Sequence, residues 1–114
     1  MVQRFDVGTR LSEMAVHNGV CYLAGQVPSD GSLDATGQTL QVLSAIDALL
    51  ARAGTHKGKL LMVQIFIKDL ADFAAMNAVW EAWLPAGAAP PRATVKADLA
   101  KPEWRVEMVV TAAL

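Results

Sequence analysis

Asn18-Gly19 lies between two apolar runs, Met14-Ala15-Val16-His17 and Val20-Cys21-Tyr22-Leu23-Ala24, and constrains the chain more than any other local feature. The dipeptide readily adopts the two positive φ angles of a type I′ turn, so it joins two antiparallel strands and sets their register. Gly25 and Pro28 end the second strand, and Ser29-Asp30-Gly31-Ser32 reads as a solvated loop.

The spacing of apolar residues then changes. From Thr36 to Ala53, the residues Leu43, Ile46, Leu50 and Ala53 recur at steps of three and four, which predicts an amphipathic helix. Asp34 or Thr36 can cap it, and Gly54 suits the left-handed conformation just past its end. Leu60 to Ile67 is interrupted only by Gln64 and is expected to be a central strand covered on both faces. Phe73, Asn77, Trp80 and Leu84 align on one face of a second helix, with Asp69 and Asp72 near its positive end and Pro85 and Gly87 beyond it.

Two alternating segments follow. Arg92, Thr94 and Lys96 share one face of a strand, and Ala93, Val95 and Ala97 the other. Trp104 to Thr111 alternates in the same way, and Asp98 to Glu103 connects the two segments. The order of hairpin, helix, strand, helix, strand, strand predicts an α+β fold: one sheet with two helices on one face and the other face free as a candidate interface.

Composition narrows the class. A length of 114 residues suits a single domain over 1–114, since two would each be near the lower limit for a stable core. The hydrophobic fraction of 54% and mean hydropathy of +0.31 are high for so small a body, which points to apolar surface facing other subunits. Ten basic residues balance eleven acidic ones without a run of either sign, so no field favours nucleic acid or an anionic membrane. No apolar run approaches the roughly 18 residues of a membrane span, the first ten residues do not read as a targeting segment, and Cys21 has no partner for a disulfide. These features together point to a cytoplasmic setting.

The sequence has no P-loop, G-x-G-x-x-G, G-x-S-x-G or HExxH motif, which leaves cofactor-free chemistry or plain binding. His17 falls beside the hairpin turn, His56 falls in a loop, and Cys21 lies within an apolar strand; all three read as structural. Trp80, Trp83 and Phe73 read as helix core rather than a ligand cage, whereas Asn77 on the same face needs a partner in the backbone or at a subunit boundary.

Arg92 follows Pro90-Pro91 and opens a strand with polar same-face neighbours, so its approach is rigid. A guanidinium fork can grip a carboxylate with two parallel hydrogen bonds. The alternative is an ordinary arginine at a strand edge. Glu107, between Val106 and Met108, is expected to lie opposite Arg92 if the last two strands pair antiparallel, where it could position or deprotonate a water. The alternative is a cross-strand salt bridge with Arg92 or Arg105.

Four segments occur in a familiar order: Ala24-Gly25-Gln26-Val27-Pro28, Lys68-Asp69-Leu70-Ala71-Asp72-Phe73 with Asn77, Pro91-Arg92-Ala93-Thr94-Val95, and Val106-Glu107. From Val16 to Ala112 the chain resembles the RidA (YjgF) family, and residues 72–83 are similar to its YoaB-type branch. The resemblance implies a chorismate-mutase-like fold assembled as a homotrimer, with ligand sites in clefts between subunits. It implies hydrolytic deamination of enamines and imines such as 2-aminoacrylate, giving a 2-keto acid and ammonia without metal or organic cofactor. Arg92 then holds the substrate carboxylate, Glu107 orients the attacking water, and Ala24 and Gly25 line the pocket. Thr94 stands where well-known members carry cysteine, and their N-terminal pocket tyrosine has no counterpart near Leu11-Ser12. A non-catalytic protein that binds or senses keto acids through the same cleft is the reading from a different class.

Overall fold

A computed structural model describes all of residues 1–114. Six strands form one mixed sheet: β1 (Gln3–Phe5), β2 (Met14–His17), β3 (Val20–Leu23), β4 (Leu60–Ile67), β5 (Arg92–Lys96) and β6 (Val106–Ala113). Their order across the sheet is β1-β2-β3-β6-β4-β5. Two helices, α1 (Ala35–Arg52) and α2 (Phe73–Trp83), pack against each other and on one face.

The hairpin forms as expected, with Asn18 at φ 51° and Gly19 at φ 76°, and Met14 pairs with Leu23. A preceding strand, β1, adds to its outer edge; its short Gln-Arg-Phe sequence carries no strand pattern, and pairing with β2 and packing of Phe5 against the core order it. Asp34 caps α1 by accepting a hydrogen bond from the Gly37 amide at 2.9 Å, and Gly54 adopts φ 82° beyond its end. Asp69 caps a 3₁₀ turn before α2, whereas Asp72 pairs with Arg105 at 3.0 Å.

Three expectations are corrected. The strands β5 and β6 do not pair with each other, because β4 lies between them, parallel to β5 and antiparallel to β6. Parallel neighbours need a crossover, and α2 supplies it between β4 and β5. Residues 97–105 then pass the end of β4 to start β6, where the Lys68 amide donates to the Arg105 carbonyl. The last strand itself begins at Val106, leaving Trp104 in the connection. Finally, β4 is covered by this chain on one face only: Val63, Ile65 and Ile67 are fully buried, while Met62, Gln64 and Phe66 face away from the helices.

The core lies between sheet and helices. Val42, Leu43, Ile46 and Leu50 of α1 and Met76 and Trp80 of α2 meet Val63, Ile65, Val106, Met108 and Val110. Within this apolar layer Gln38, fully buried, satisfies its amide completely: Nε2 donates to the carbonyls of Gly31, Leu33 and Glu103, and Oε1 accepts from the Arg105 amide at 2.7 Å. A buried amide left unpaired would cost several kcal/mol, so these bonds tie the loop before α1 to the segment before β6. No helix is long and apolar enough to cross a membrane.

Candidate functional site between a strand edge and the open face

Arg92 is the first residue of the edge strand β5, and the Pro91 carbonyl preceding it accepts from the Val63 amide at 3.1 Å. Val63 pairs with both Arg92 and Val110, and cross-strand partners share a face, so Arg92 leaves the sheet on the helix side. Its guanidinium lies over two rings of α2, 5.5 Å from the centre of Trp80 and 6.0 Å from that of Phe73. Cation–π attraction holds it there without using its N–H donors. Neither of the chain's two ion pairs, Arg52–Asp6 and Arg105–Asp72, involves Arg92. The fork is positioned and has no carboxylate partner in the chain.

Trp80 is core, at 4% exposure, but Phe73 is 39% exposed and flanks the arginine. Reading the aromatic residues only as core misses this second role; the i, i+7 spacing of Phe73 and Trp80 and the basic residue opening the following strand were the available signals. Thr94 shares the face of Arg92, and Asn77 shares that of Phe73 and Trp80. The buried oxygens Thr94 Oγ1 and Asn77 Oδ1 have no hydrogen-bond partner within the chain. Polar atoms in that condition mark places where a ligand or a further chain can bind.

Glu107 lies elsewhere. Between Val106 and Met108, which are buried under the helices, its side chain takes the opposite, open face. It pairs with Phe66 of β4, and on its other side the Gly25 backbone lies so close to its carboxylate that a methyl group at Gly25 would run into Oε2. The approach is built by Gln26, whose amide and carbonyl bond to Met108 (2.8 and 3.1 Å) and whose side chain donates to the Ala24 carbonyl at 3.0 Å and to Glu13 at 3.2 Å. The sequence pattern includes Gln26 but assigns the pocket only to Ala24 and Gly25, which this buried residue fixes.

Within one protomer the site residues thus form two groups. Arg92 and Thr94 lie on the helix side of β5, with Asn77 on the α2 face that carries the rings under Arg92, whereas Glu107, Ala24 and Gly25 gather on the open face. The expected position of Glu107 opposite Arg92 is not found, because β4 separates their strands and the residues leave the sheet on opposite sides. The remaining candidates are inert: His56 caps the Gly58 amide at 3.1 Å, and burial pushes the Cys21 thiol above its usual range.

The sheet with two helices on one face and an aromatic-backed arginine at its edge defines a class of small α+β proteins with known relatives. A sequence model described as endoribonuclease L-PSP matches residues 1–114. The chain is 49% identical over 114 residues to a RutC family protein of Haemophilus ducreyi, covering 100% of this chain and 97% of that one. It is 42% identical over 113 residues to the RutC family protein YoaB of Escherichia coli K12, covering 99% and 98%. A solved YjgF-family structure from Neisseria meningitidis superposes with a TM-score of 0.96 at 44% identity, covering 99% of this chain and 94% of that one. The chain belongs to the endoribonuclease L-PSP family, which the RutC and YjgF names share, and has its fold.

Proposed function

We propose that the protein hydrolyses reactive short-chain enamines and imines of the 2-aminoacrylate type to 2-keto acids and ammonia. The observation that carries this reading is Arg92: half-buried, held over Phe73 and Trp80, and without an acidic partner. Such a group suits a small carboxylate, gripped through two parallel hydrogen bonds. The enamine first tautomerises to the imine, its nitrogen losing a proton and its β-carbon gaining one; water then adds to the imine carbon, the C–N bond of the resulting carbinolamine breaks, and the nitrogen leaves as ammonia after protonation. The imine carbon is already electrophilic, so the protein has to fix the substrate, place the water and assist proton transfer.

Glu107 is the water-orienting group in this reading, Thr94 and the Ala24-Gly25 backbone bind substrate, and no cofactor takes part. Because Arg92 and Glu107 leave opposite faces of one sheet, the complete site requires a second copy: the open face of one protomer meets the β5 edge of the next in a homotrimer. Exposed Tyr22, Met62, Val95 and Val109 on that face supply the apolar contact area such an interface needs.

The test is to generate 2-aminoacrylate with a dehydratase and follow keto-acid formation. The intact protein should accelerate it, and Arg92→Ala should lower the rate constant about a hundredfold or more, as expected when a charge-assisted bidentate contact of several kcal/mol is removed. No acceleration, or undiminished acceleration by Arg92→Ala, overturns the proposal. The family description names an endoribonuclease, yet a formal charge of −1 offers little attraction for an RNA backbone. The separation of Glu107 from Arg92 favours one other reading, a keto-acid binding protein that needs only the arginine. Saturable calorimetric binding of 2-ketobutyrate without turnover would select it.

A further inference from the structure

A second, polar recess lies at the other end of β5. Lys68 follows the last residue of β4, Lys96 ends β5 and Arg105 precedes β6, so three strand ends bring three cations around a cavity of about 570 Å³. Lys96 is four residues along the strand from Arg92, about 13 Å at the usual rise per residue, which separates this recess from the carboxylate anchor.

We infer that this recess binds a small phosphomonoester, independently of the deaminase reading. Among the three cations only Arg105 has an acidic partner, through a single nitrogen, Nη1 to Asp72 at 3.0 Å, which leaves its other donors available. Lys68 Nζ donates to the neutral Pro102 carbonyl, and Lys96 is exposed without a partner. The lining sets three cations against two carboxylates, Asp69 and Glu103, and the small positive excess favours an anion with several acceptor oxygens. Lysines suit phosphate as point charges, and the arginine supplies oriented donors.

The recess is held in shape before any ligand arrives. Buried Gln38 ties the Gly31 and Leu33 carbonyls on one wall to the Glu103 carbonyl and Arg105 amide on the other. The volume leaves room for a body beyond a single phosphate. Asp69, whose carboxylate already accepts from the Ala71 amide, and Glu103, whose stem crosses Gly31, also line the cavity. These carboxylates disfavour a second phosphate and accept hydrogen bonds from hydroxyl or amino groups. A single phosphate on a short hydroxylated body is the chemistry that matches.

The experiment titrates the intact protein with glycerol 3-phosphate, inorganic phosphate and, at matched ionic strength, sodium chloride, reading amide shifts by NMR and affinity by calorimetry. Saturable shifts at Gly31, Lys96 and Arg105 are expected with both phosphates, tighter for glycerol 3-phosphate, and absent with chloride. Lys96→Gln, an exposed change that leaves the core intact, should weaken binding about tenfold, as for loss of one charged hydrogen bond. Glu103→Gln should tighten binding, and Arg92→Ala should leave it unchanged. Non-saturable shifts, shifts confined to the neighbourhood of Arg92, equal affinity for the two phosphates, or weaker binding by Glu103→Gln would each overturn the assignment.

Discussion

Along β4, Val63, Ile65 and Ile67 enter a closed apolar layer under α1 and α2, while Met62, Gln64 and Phe66 of the same strand meet no second layer of this chain. Strand β6 divides in the same way, with Val106, Met108 and Val110 beneath the helices and Glu107, Val109 and Thr111 facing outward. The helix side is where folding free energy is concentrated. The open side keeps exposed apolar residues that contribute little to folding and are available for assembly. The proposed site draws on both, with its anchor at the edge of the helix side and its water-orienting carboxylate on the open side.

The sharpest way to break this division is to compare one residue from each face. Ile65→Ala should lower unfolding free energy by about 2–5 kcal/mol in urea titrations, since it empties a fully buried site. Val109→Asp should cost within about 1 kcal/mol in the isolated fold, because the position is part-exposed, yet should dissociate the proposed homotrimer on sedimentation. An oligomer that survives Val109→Asp would remove the open face from the interface.

Subunit mixing sharpens the split of the site. Arg92→Ala and Glu107→Gln proteins should each be nearly inactive alone, and random trimers reassembled from an equal mixture should recover about a quarter of wild-type activity, the share of two-copy sites that draw both intact residues. No recovery would mean that both groups serve a site from one protomer.

A smaller effect is expected at Gly25. Gly25→Ala pushes against the far end of a flexible Glu107 side chain, so unfolding midpoints should hardly move. The proposed deaminase rate should fall about tenfold as the carboxylate is displaced. A large stability loss with unchanged kcat would place the role of Gly25 in the backbone instead.

The smallest effect concerns the β1 end of the sheet, far from the site. Hydrogen bonds from Arg52, at 2.6 and 3.0 Å, together with its charge hold the Asp6 carboxyl below its ordinary value. A depressed carboxyl contributes stability above its unfolded pKa, near 3.9, and loses it as pH falls through the lower folded value. Asp6 already has φ 55°, which Asn tolerates, so Asp6→Asn isolates the charge. The thermal midpoint of Asp6→Asn should lie slightly below wild type at pH 7, and the difference should vanish in acid.

The hairpin at Asn18-Gly19 and both helices, with Asp34 and Gly54 at the ends of α1, were legible in the sequence because each rests on contacts between near neighbours, and the alternating strands were legible because a half-buried strand leaves a period of two whatever it pairs with. Arg92, Glu107, Ala24 and Gly25 could likewise be singled out as residue types in a family pattern, and the family itself followed from their order. Strand β1 was not legible, since three residues are too few to show a period and become a strand by pairing with β2. The Arg92 platform was missed for a related reason: periodicity places Phe73 and Trp80 on one helix face but does not say which residue they meet.

What local sequence could not decide is strand order. Inserting β4 between β5 and β6 depends on the α2 crossover and on which apolar faces can be buried together, both properties of the whole fold. That choice separates Arg92 from Glu107 by a strand and a face. The sequence by itself determined the two chemical groups and the elements that carry them. Only the tertiary structure decided that they do not meet within one protomer, because the sides of a sheet are fixed by pairing register and by what packs on them.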